Sequence, residues 1–312
     1  MIAFDLLLAL LIVLLAWRCV HAGGLYPAIV FFIVMGLMLA LSWARLDAPD
    51  LALAEAAIGA GLLGVLLLST WRWLQARAHR ETDYPPAGPR LRWLAGVGSI
   101  AFGGLVAVLL HGMRPGPEGA GRLALDSLAE AGVEQPVTAV LLNFRSYDTL
   151  LEMGVLLMAL IGAVLSRAPL AFGGATANGG MRSPLLPVLL TAFTPLMLLV
   201  GAFLVWAGAY SPGGAFQGGA VLGGAGVVLA LCNRLQGVAD PGVLTRGLLV
   251  LGLTVFTLAG LLLMPWQGAF MTYPEDHVYP VMVAIEYSLA VSIAISLLLL
   301  FTGTHGFRTA PP

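Results

Sequence analysis

The chain has 312 residues, of which 59% are hydrophobic and only 10% charged, and its net charge is −1. Soluble globular domains carry roughly 25% charged residues, so this composition excludes an ordinary soluble protein and predicts an integral membrane protein. The balanced charge gives no support for nucleic-acid binding. Two cysteines, Cys19 and Cys232, form neither a disulfide framework nor a metal motif, and we expect no cofactor.

Nine apolar runs recur along the chain, each near the ~20 residues that cross a bilayer as a helix. They lie at about 3–20, 25–43, 50–71, 91–111, 147–166, 185–208, 214–233, 244–265 and 280–303. The first run follows Met-Ile-Ala-Phe-Asp, which holds an acid and no base, so it is interpreted as a helix and not as a signal peptide. The predicted fold is therefore all-α and polytopic, with about nine transmembrane helices.

Polar connections divide these runs into blocks of three, two and four helices. The segment Arg72–Arg92 contains three prolines and is predicted to be a linker. Residues 112–146 are predicted to form a long outer loop with a short helix at Arg122–Ala131, and Gly173–Ser183 forms a third break. The predicted domains are residues 1–79, 80–168 and 169–312.

The arginines set the predicted orientation. All fifteen basic residues are Arg, and five of them lie between the third and fourth runs, which makes that connection cytoplasmic by the positive-inside rule. Strict alternation then places the N-terminus outside and the C-terminus inside. Only four arginines fall on the outer side: Arg45, Arg114, Arg122 and Arg145.

Three acids are predicted to lie inside the membrane. Glu55 lies ~6 residues into the third helix if that helix begins at Pro49, and Glu152 and Glu286 lie equally deep in the fifth and ninth helices. A charge near mid-bilayer costs ~2.5–3.5 kcal/mol on insertion scales, so such residues usually mark ion or proton pathways. The three would share one depth, as a half-channel for protons or Na⁺ requires. The alternative is a neutral, protonated Glu that is hydrogen-bonded to a neighbouring helix.

Further polar residues lie near these acids. Asp148 and Glu152 are four residues apart on one helix face, and pairing of Arg145 with Asp148 would leave Glu152 free to titrate. A helix-capping role is the alternative for Asp148. Asp50 lies at a helix start, where acids favour the dipole. His277 is a candidate to feed protons to the ninth helix, or is simply solvated.

The glycine-rich segment Tyr210–Gly226 is not a nucleotide-binding loop, because it lacks the Gly-Lys-Ser/Thr of a P-loop. Pro212, Gly213 and Gly214 predict a tight outer turn. The glycines that follow predict a flat helix face for close packing. The alternative is an unwound turn that lines an ion cavity.

Three stretches together resemble a known family. "APDLALAEAAIGAGL" resembles the end of the A subunit of Mrp-type sodium/proton antiporters, which is a separate small subunit in the related membrane-bound hydrogenases. "VTAVLLNFRSYDTLLEMGVL" resembles the next piece of that region, and "YSPGGAFQGGAV" resembles a motif of the antiporter B subunit. The motif positions are Glu55, Arg145, Asp148, Glu152, Pro212, Gly213, Gly214, Phe216, Gly218 and Gly219. Asn143, Ala215 and Ala54 depart from the family pattern.

The resemblance implies a fused membrane subunit of a multi-subunit cation/proton antiporter in a bacterial or archaeal cytoplasmic membrane. It also implies partners that include complex I-like pump subunits, with Na⁺ and H⁺ as the ions and Glu55 and Glu152 as possible Na⁺ ligands. The chain has no Lys and is therefore not itself a pump-like subunit. The alternatives are the membrane arm of a redox complex, a scaffold without an ion path, and a partner in inorganic-carbon uptake.

Overall fold

The computed structural model describes residues 2–77, 88–112, 119–165, 185–232, 235 and 242–302. Within these ranges every regular element is helical, which confirms the all-α fold. The α-helices are α1 Ile2–Val20, α2 Leu25–Arg45, α3 Pro49–Ala54, α4 Leu63–Arg77, α5 Pro89–Gly112, α6 Ala120–Asp126, α7 Pro136–Ala139, α8 Ser146–Leu165, α9 Leu185–Ala207, α10 Ala215–Leu231, α11 Val243–Gln267 and α12 Val278–Thr302. Two π-helical segments, Glu55–Leu62 and Val140–Phe144, and two short 3₁₀ turns, Leu128–Glu130 and Glu275–His277, complete the set.

Eight helices of the described chain are long and apolar enough to cross a membrane, so the protein is a multi-pass membrane protein. The ninth apolar run is the shorter helix α10, which has 17 residues. The third span is one rod built from α3, the segment Glu55–Leu62 and α4.

The first three spans pack through small residues. Helix α2 lies between α1 and the third rod. A Cβ atom on Gly36 would lie only 3.3 Å from the Cβ of Ala60, so the two backbones approach closely at this point. An ion pair between Arg45 and Asp5, with 3.0 Å from Nε to Oδ1, joins the ends of α2 and α1.

Helix α12 is the core of the last block. Ile285, Leu289 and Ile293 on α12 are essentially inaccessible, and α10 and α11 pack on either side of it. Gly219 on α10 faces Ile293 so closely that an added Cβ would lie 2.8 Å from Cγ2 of that side chain. Close packing is the role that the sequence predicts for this glycine face.

The middle block differs from its prediction at two places. Arg72–Arg92 is not a linker throughout, because α4 continues to Arg77 and α5 begins at Pro89, where the missing N–H of proline fits a first helical turn. The loop predicted for residues 112–146 is helical at residues 136–144, which form α7 and the π-helical segment after it. Thr138 and Leu142 of this stretch are buried, because they pack against the end of the last block. Gly173–Ser183 lies outside the described residues.

Candidate functional site

A cavity of about 320 Å³ lies where the first, middle and last blocks meet. Three carboxylates line it, each from a different membrane-spanning element: Asp50 on α3, Glu152 on α8 and Glu286 on α12. Most of the remaining lining is apolar, apart from Thr138, Thr149 and Gln217. A cavity of this kind in a membrane protein can admit water or a small cation beside buried acids.

Asp50 is buried and hydrogen-bonded through both of its carboxylate oxygens. Its Oδ1 accepts a hydrogen bond from the backbone N–H of Gly213 at 2.9 Å, and its Oδ2 accepts one from Nε2 of Gln135 at 2.7 Å. Nε2 of Gln217 donates to the Asp50 backbone carbonyl at 3.3 Å. The local sequence allows this arrangement, since Pro49 begins the helix and places Asp50 in its first turn.

Glu286 is also buried, with 5% of its surface exposed. It lies against the predicted turn at Pro212, Gly213 and Gly214, and the backbone N–H of Ala215 donates a hydrogen bond to its carboxylate. Ala215 is the first residue of α10, so Glu286 lies at a helix N-terminus, where unpaired N–H groups favour an anion. Gly214 has φ +115, a conformation that favours glycine.

The rest of the turn motif supports this geometry. Gly213 packs against the carbonyl oxygen of Leu204, and Gly218 packs against Val205, so neither position has room for a side chain. Phe216 lines the cavity. The turn thus borders the cavity with folded backbone, which combines the two alternatives left open by the sequence.

Glu152 lies at the exposed edge of the cavity on α8. The helix begins at Ser146, as predicted, after a break at Arg145 that separates it from the π-helical segment. Arg145 pairs with Asp148, with 2.6 Å from Nη2 to Oδ2, which is the pairing that the sequence suggests. Thr149 Oγ1 donates to the carbonyl of Leu141 at 2.7 Å and holds the two helical pieces together.

Glu55 is not part of the lining that Glu152 and Glu286 share, so the structure does not bring the three predicted acids together in one cavity. The Glu55 carboxylate lies over Gly59 of its own helix, where a Cβ atom would be 2.8 Å from the Cδ of Glu55. Five helical residues separate Asp50 from Glu55, which turns their side chains by about 140°. Asp50 therefore faces the cavity and Glu55 faces another side of the rod.

Two residues considered as proton feeders lie elsewhere. His277 is exposed at the start of α12 and is not part of the cavity lining. Tyr287 is 39% exposed and donates to the carbonyl of Ala202 at 3.2 Å, on the α9 side of the helix. Asn143 donates to the carbonyl of Ala131 at 3.4 Å.

Four polar residues that the sequence does not single out hold the site together: Gln135, Thr138, Thr149 and Gln217. Thr138 donates to the carbonyl of Gly208, just before the glycine turn. An available signal was the presence of polar residues within otherwise apolar stretches. Among the described residues, no three His, Cys, Asp or Glu side chains are close enough together to hold a metal ion.

Comparisons with known proteins match two separate parts of the chain. Residues 10–76 match the MbhD family of MBH subunits, and residues 185–305 match a "domain related to MnhB subunit of Na+/H+ antiporter". No curated protein matches.

The fold is similar to that of a chain in the Mrp complex from Dietzia sp. DQ12-45-1b, with a TM-score of 0.75 and 20% sequence identity. The match covers 98% of this chain and 35% of that chain, so this protein spans about a third of the solved chain's length. The chain thus joins an MbhD-like domain to an MnhB-like domain, which is the composition of an Mrp-type antiporter subunit fusion.

Proposed function

We propose that this protein is a membrane subunit of a multi-subunit monovalent cation/proton antiporter, and that the cavity lined by three carboxylates is part of its ion path. It is a transport subunit and not an enzyme. The observation that carries the proposal is the convergence of Asp50, Glu152 and Glu286, from three separate spans, on one cavity. The MnhB-related match of residues 185–305 supports the same function.

The ion path uses Glu152 and Glu286 in series. Glu152 lies at the exposed edge of the cavity, and Glu286 lies at its buried end against the first N–H of α10. A carboxylate that binds either a proton or a cation, but not both together, exchanges the two ions and so supports antiport. Na⁺ is the cation that we expect, since oxygen ligands suit hard cations of this kind.

The exposed position of Glu152 also supports a partner subunit. A carboxylate that faces lipid is costly, and Leu151 and Val155 beside it are more than half exposed. We expect a neighbouring antiporter subunit, of the complex I-like pump type, to cover this face of α8. Each of the predicted blocks, residues 1–79, 80–168 and 169–312, then contributes one carboxylate to the path.

The arginine distribution supports an orientation with the N-terminus outside and the C-terminus inside a bacterial or archaeal cytoplasmic membrane. In that orientation the start of α3, the start of α8 and the start of α12 lie on the outer side. The cavity is then accessible from the outside.

The test is Na⁺-dependent proton movement in everted membrane vesicles that contain the assembled complex. We expect Glu286→Gln and Glu152→Gln each to lower the rate of antiport about tenfold or more, a loss of at least about 1.4 kcal/mol in the rate-limiting step. Asp148→Asn is the matched control, because Asp148 lies one turn from Glu152 and is not part of the cavity lining. Unimpaired antiport in a Glu152→Gln/Glu286→Gln double variant, with the complex assembled, contradicts the proposal.

A second candidate is the ion-translocating arm of a redox complex, and the match of residues 10–76 to the MbhD family favours it. Purification of the tagged chain in a gentle detergent, followed by mass spectrometry of the bound proteins, separates the two. Pump-like antiporter subunits without redox proteins support the antiporter. Co-purified iron–sulfur or nickel subunits support the redox arm.

A further inference from the structure

We propose that Asp50 is a positioning residue, a fixed anion that holds the glycine turn in place and through it holds the Ala215 N–H on Glu286. In this role Asp50 binds no transported ion itself. The inference rests on the proposed function and assigns different roles to the carboxylates of one cavity.

The first observation is that both oxygens of the Asp50 side chain already have donors. The N–H of Gly213 occupies Oδ1 and the amide of Gln135 occupies Oδ2, and only 6% of the residue is exposed. Backbone and amide N–H groups stabilise a buried carboxylate without a cation. An ion that bound Asp50 would have to displace one of these hydrogen bonds.

The second observation is that the turn connects Asp50 with Glu286 over three consecutive residues. The N–H of Gly213 donates to Asp50, the N–H of Gly214 donates to the carbonyl of Leu204 at 2.8 Å, and the N–H of Ala215 donates to Glu286. Each N–H of this turn therefore has its own acceptor. Loss of the first contact frees the turn to shift, and the third contact shifts with it.

The third observation is that Asp50 joins all three blocks of the chain. Asp50 belongs to the first block, Gln135 to the middle block, and Gly213 and Gln217 to the last. Gly213 lies 163 residues from Asp50 in sequence, so this contact does not arise from local structure. The side chain that fixes the turn is thus supplied from the MbhD-like part of the chain to the MnhB-like part.

The test compares Asp50→Asn with Asp50→Ala in the assembled complex. Asn keeps an oxygen for the Gly213 N–H, and the Gln135 amide can rotate to accept from its NH₂ group, so the hydrogen bonds survive without the charge. Ala removes both. Two readouts are measured: the rate of Na⁺-dependent antiport, and hydrogen exchange at the Gly213 amide by mass spectrometry of peptides from the turn.

We expect Asp50→Asn to keep antiport within about twofold of the natural protein and to keep the Gly213 amide protected, whereas Asp50→Ala loses antiport and exchanges at Gly213 about tenfold faster. If Asp50→Asn is as inactive as Glu286→Gln while Gly213 stays protected, Asp50 carries the ion and the inference is wrong. Unchanged protection of Gly213 in Asp50→Ala overturns it as well.

These outcomes can be separated from failure of the proposed function. Full antiport in Glu286→Gln would refute the ion path through this cavity. The exchange rate of the Gly213 amide does not depend on transport, and it still decides whether Asp50 holds the turn.

Discussion

The Glu286 carboxylate and Gly214 approach so closely that the missing side chain of the glycine is part of the site. Oε1 of Glu286 lies 3.1 Å from the position that a Cβ atom on Gly214 would occupy. Gly214 also has φ +115, which other residues rarely adopt. The turn therefore needs glycine at this position for two independent reasons, its backbone conformation and its contact with a buried acid.

We expect Gly214→Ala to destabilise the protein by about 1–3 kcal/mol through backbone strain and to impair antiport through displacement of Glu286. Thermal unfolding and the vesicle antiport assay measure the two effects. Gly268→Ala is the matched control, because Gly268 has φ +77 and no atom within 4 Å of an added Cβ. If both variants lower antiport equally, backbone strain alone explains the loss and the contact with Glu286 is unimportant.

Ser292 connects α11 and α12 through two hydrogen bonds. Its Oγ accepts from the N–H of Gly252 at 2.7 Å and donates to the carbonyl of Leu248 at 2.9 Å, in a fully buried position. We expect Ser292→Ala to cost about 0.6–2 kcal/mol in a thermal or denaturant unfolding measurement, the range for hydrogen bonds between membrane helices. Ser296→Ala is the control, because Ser296 Oγ donates only within its own helix, to the carbonyl of Ser292. Equal losses in the two variants would rule out a special role for the interhelical pair.

The glycines of α10 differ in how much space surrounds them. A Cβ on Gly219 would lie 2.8 Å from Cγ2 of Ile293 and 3.0 Å from the carbonyl oxygen of Ala290, whereas a Cβ on Gly224 would contact only the flexible end of Met197 at 3.4 Å. We expect Gly219→Ala to destabilise the protein by about 1–3 kcal/mol through overpacking. Gly224→Ala should stay within about 0.5 kcal/mol of the natural protein.

The unfolding midpoints of the two glycine variants, measured side by side, check this difference. A stable Gly219→Ala variant would mean that α10 and α12 can separate at no cost. That result would contradict close helix approach as the reason for the glycine face.

The helix positions could be predicted from the sequence because apolar runs of membrane length are a strong signal, and the helix starts at Pro49 and Ser146 agree with their predictions. The Arg145–Asp148 pair could be predicted because the two residues are close in sequence. The rotation of each helix could not be predicted. A membrane helix is apolar on its lipid side and on its protein side, so polarity does not show which face is inside.

The same limit explains the difference between Glu55 and Asp50. Spacing along the chain predicts how far Glu55 lies from the start of its helix, but not the direction in which it points. Asp50 stands out in the sequence only for its position at a helix terminus, yet its partners lie in distant parts of the chain. Contacts over such sequence separations depend on tertiary packing, which no local pattern encodes.

Glu55 and Gly59 provide a test of whether the acid outside the cavity is also used in transport. The π-helical segment Glu55–Leu62 holds the Glu55 carboxylate over Gly59, and segments of this kind are frequent at functional sites. An added Cβ at Gly59 must displace the carboxylate. If Glu55 belongs to a second part of the ion path, we expect Gly59→Ala and Glu55→Gln to lower antiport alike, by about tenfold or 1.4 kcal/mol.

Gly61→Ala is the control for this pair, because an added Cβ there would contact the carbonyl oxygen of Ala56 at 3.1 Å within the same π-helical segment and no carboxylate. Antiport that falls in Gly59→Ala but not in Gly61→Ala assigns the effect to the position of Glu55. Antiport that is normal in both Gly59→Ala and Glu55→Gln removes Glu55 from the path. The transport function would then depend on the carboxylates of the cavity alone, and the acid that is most conspicuous in the sequence would serve only the packing of its own helix.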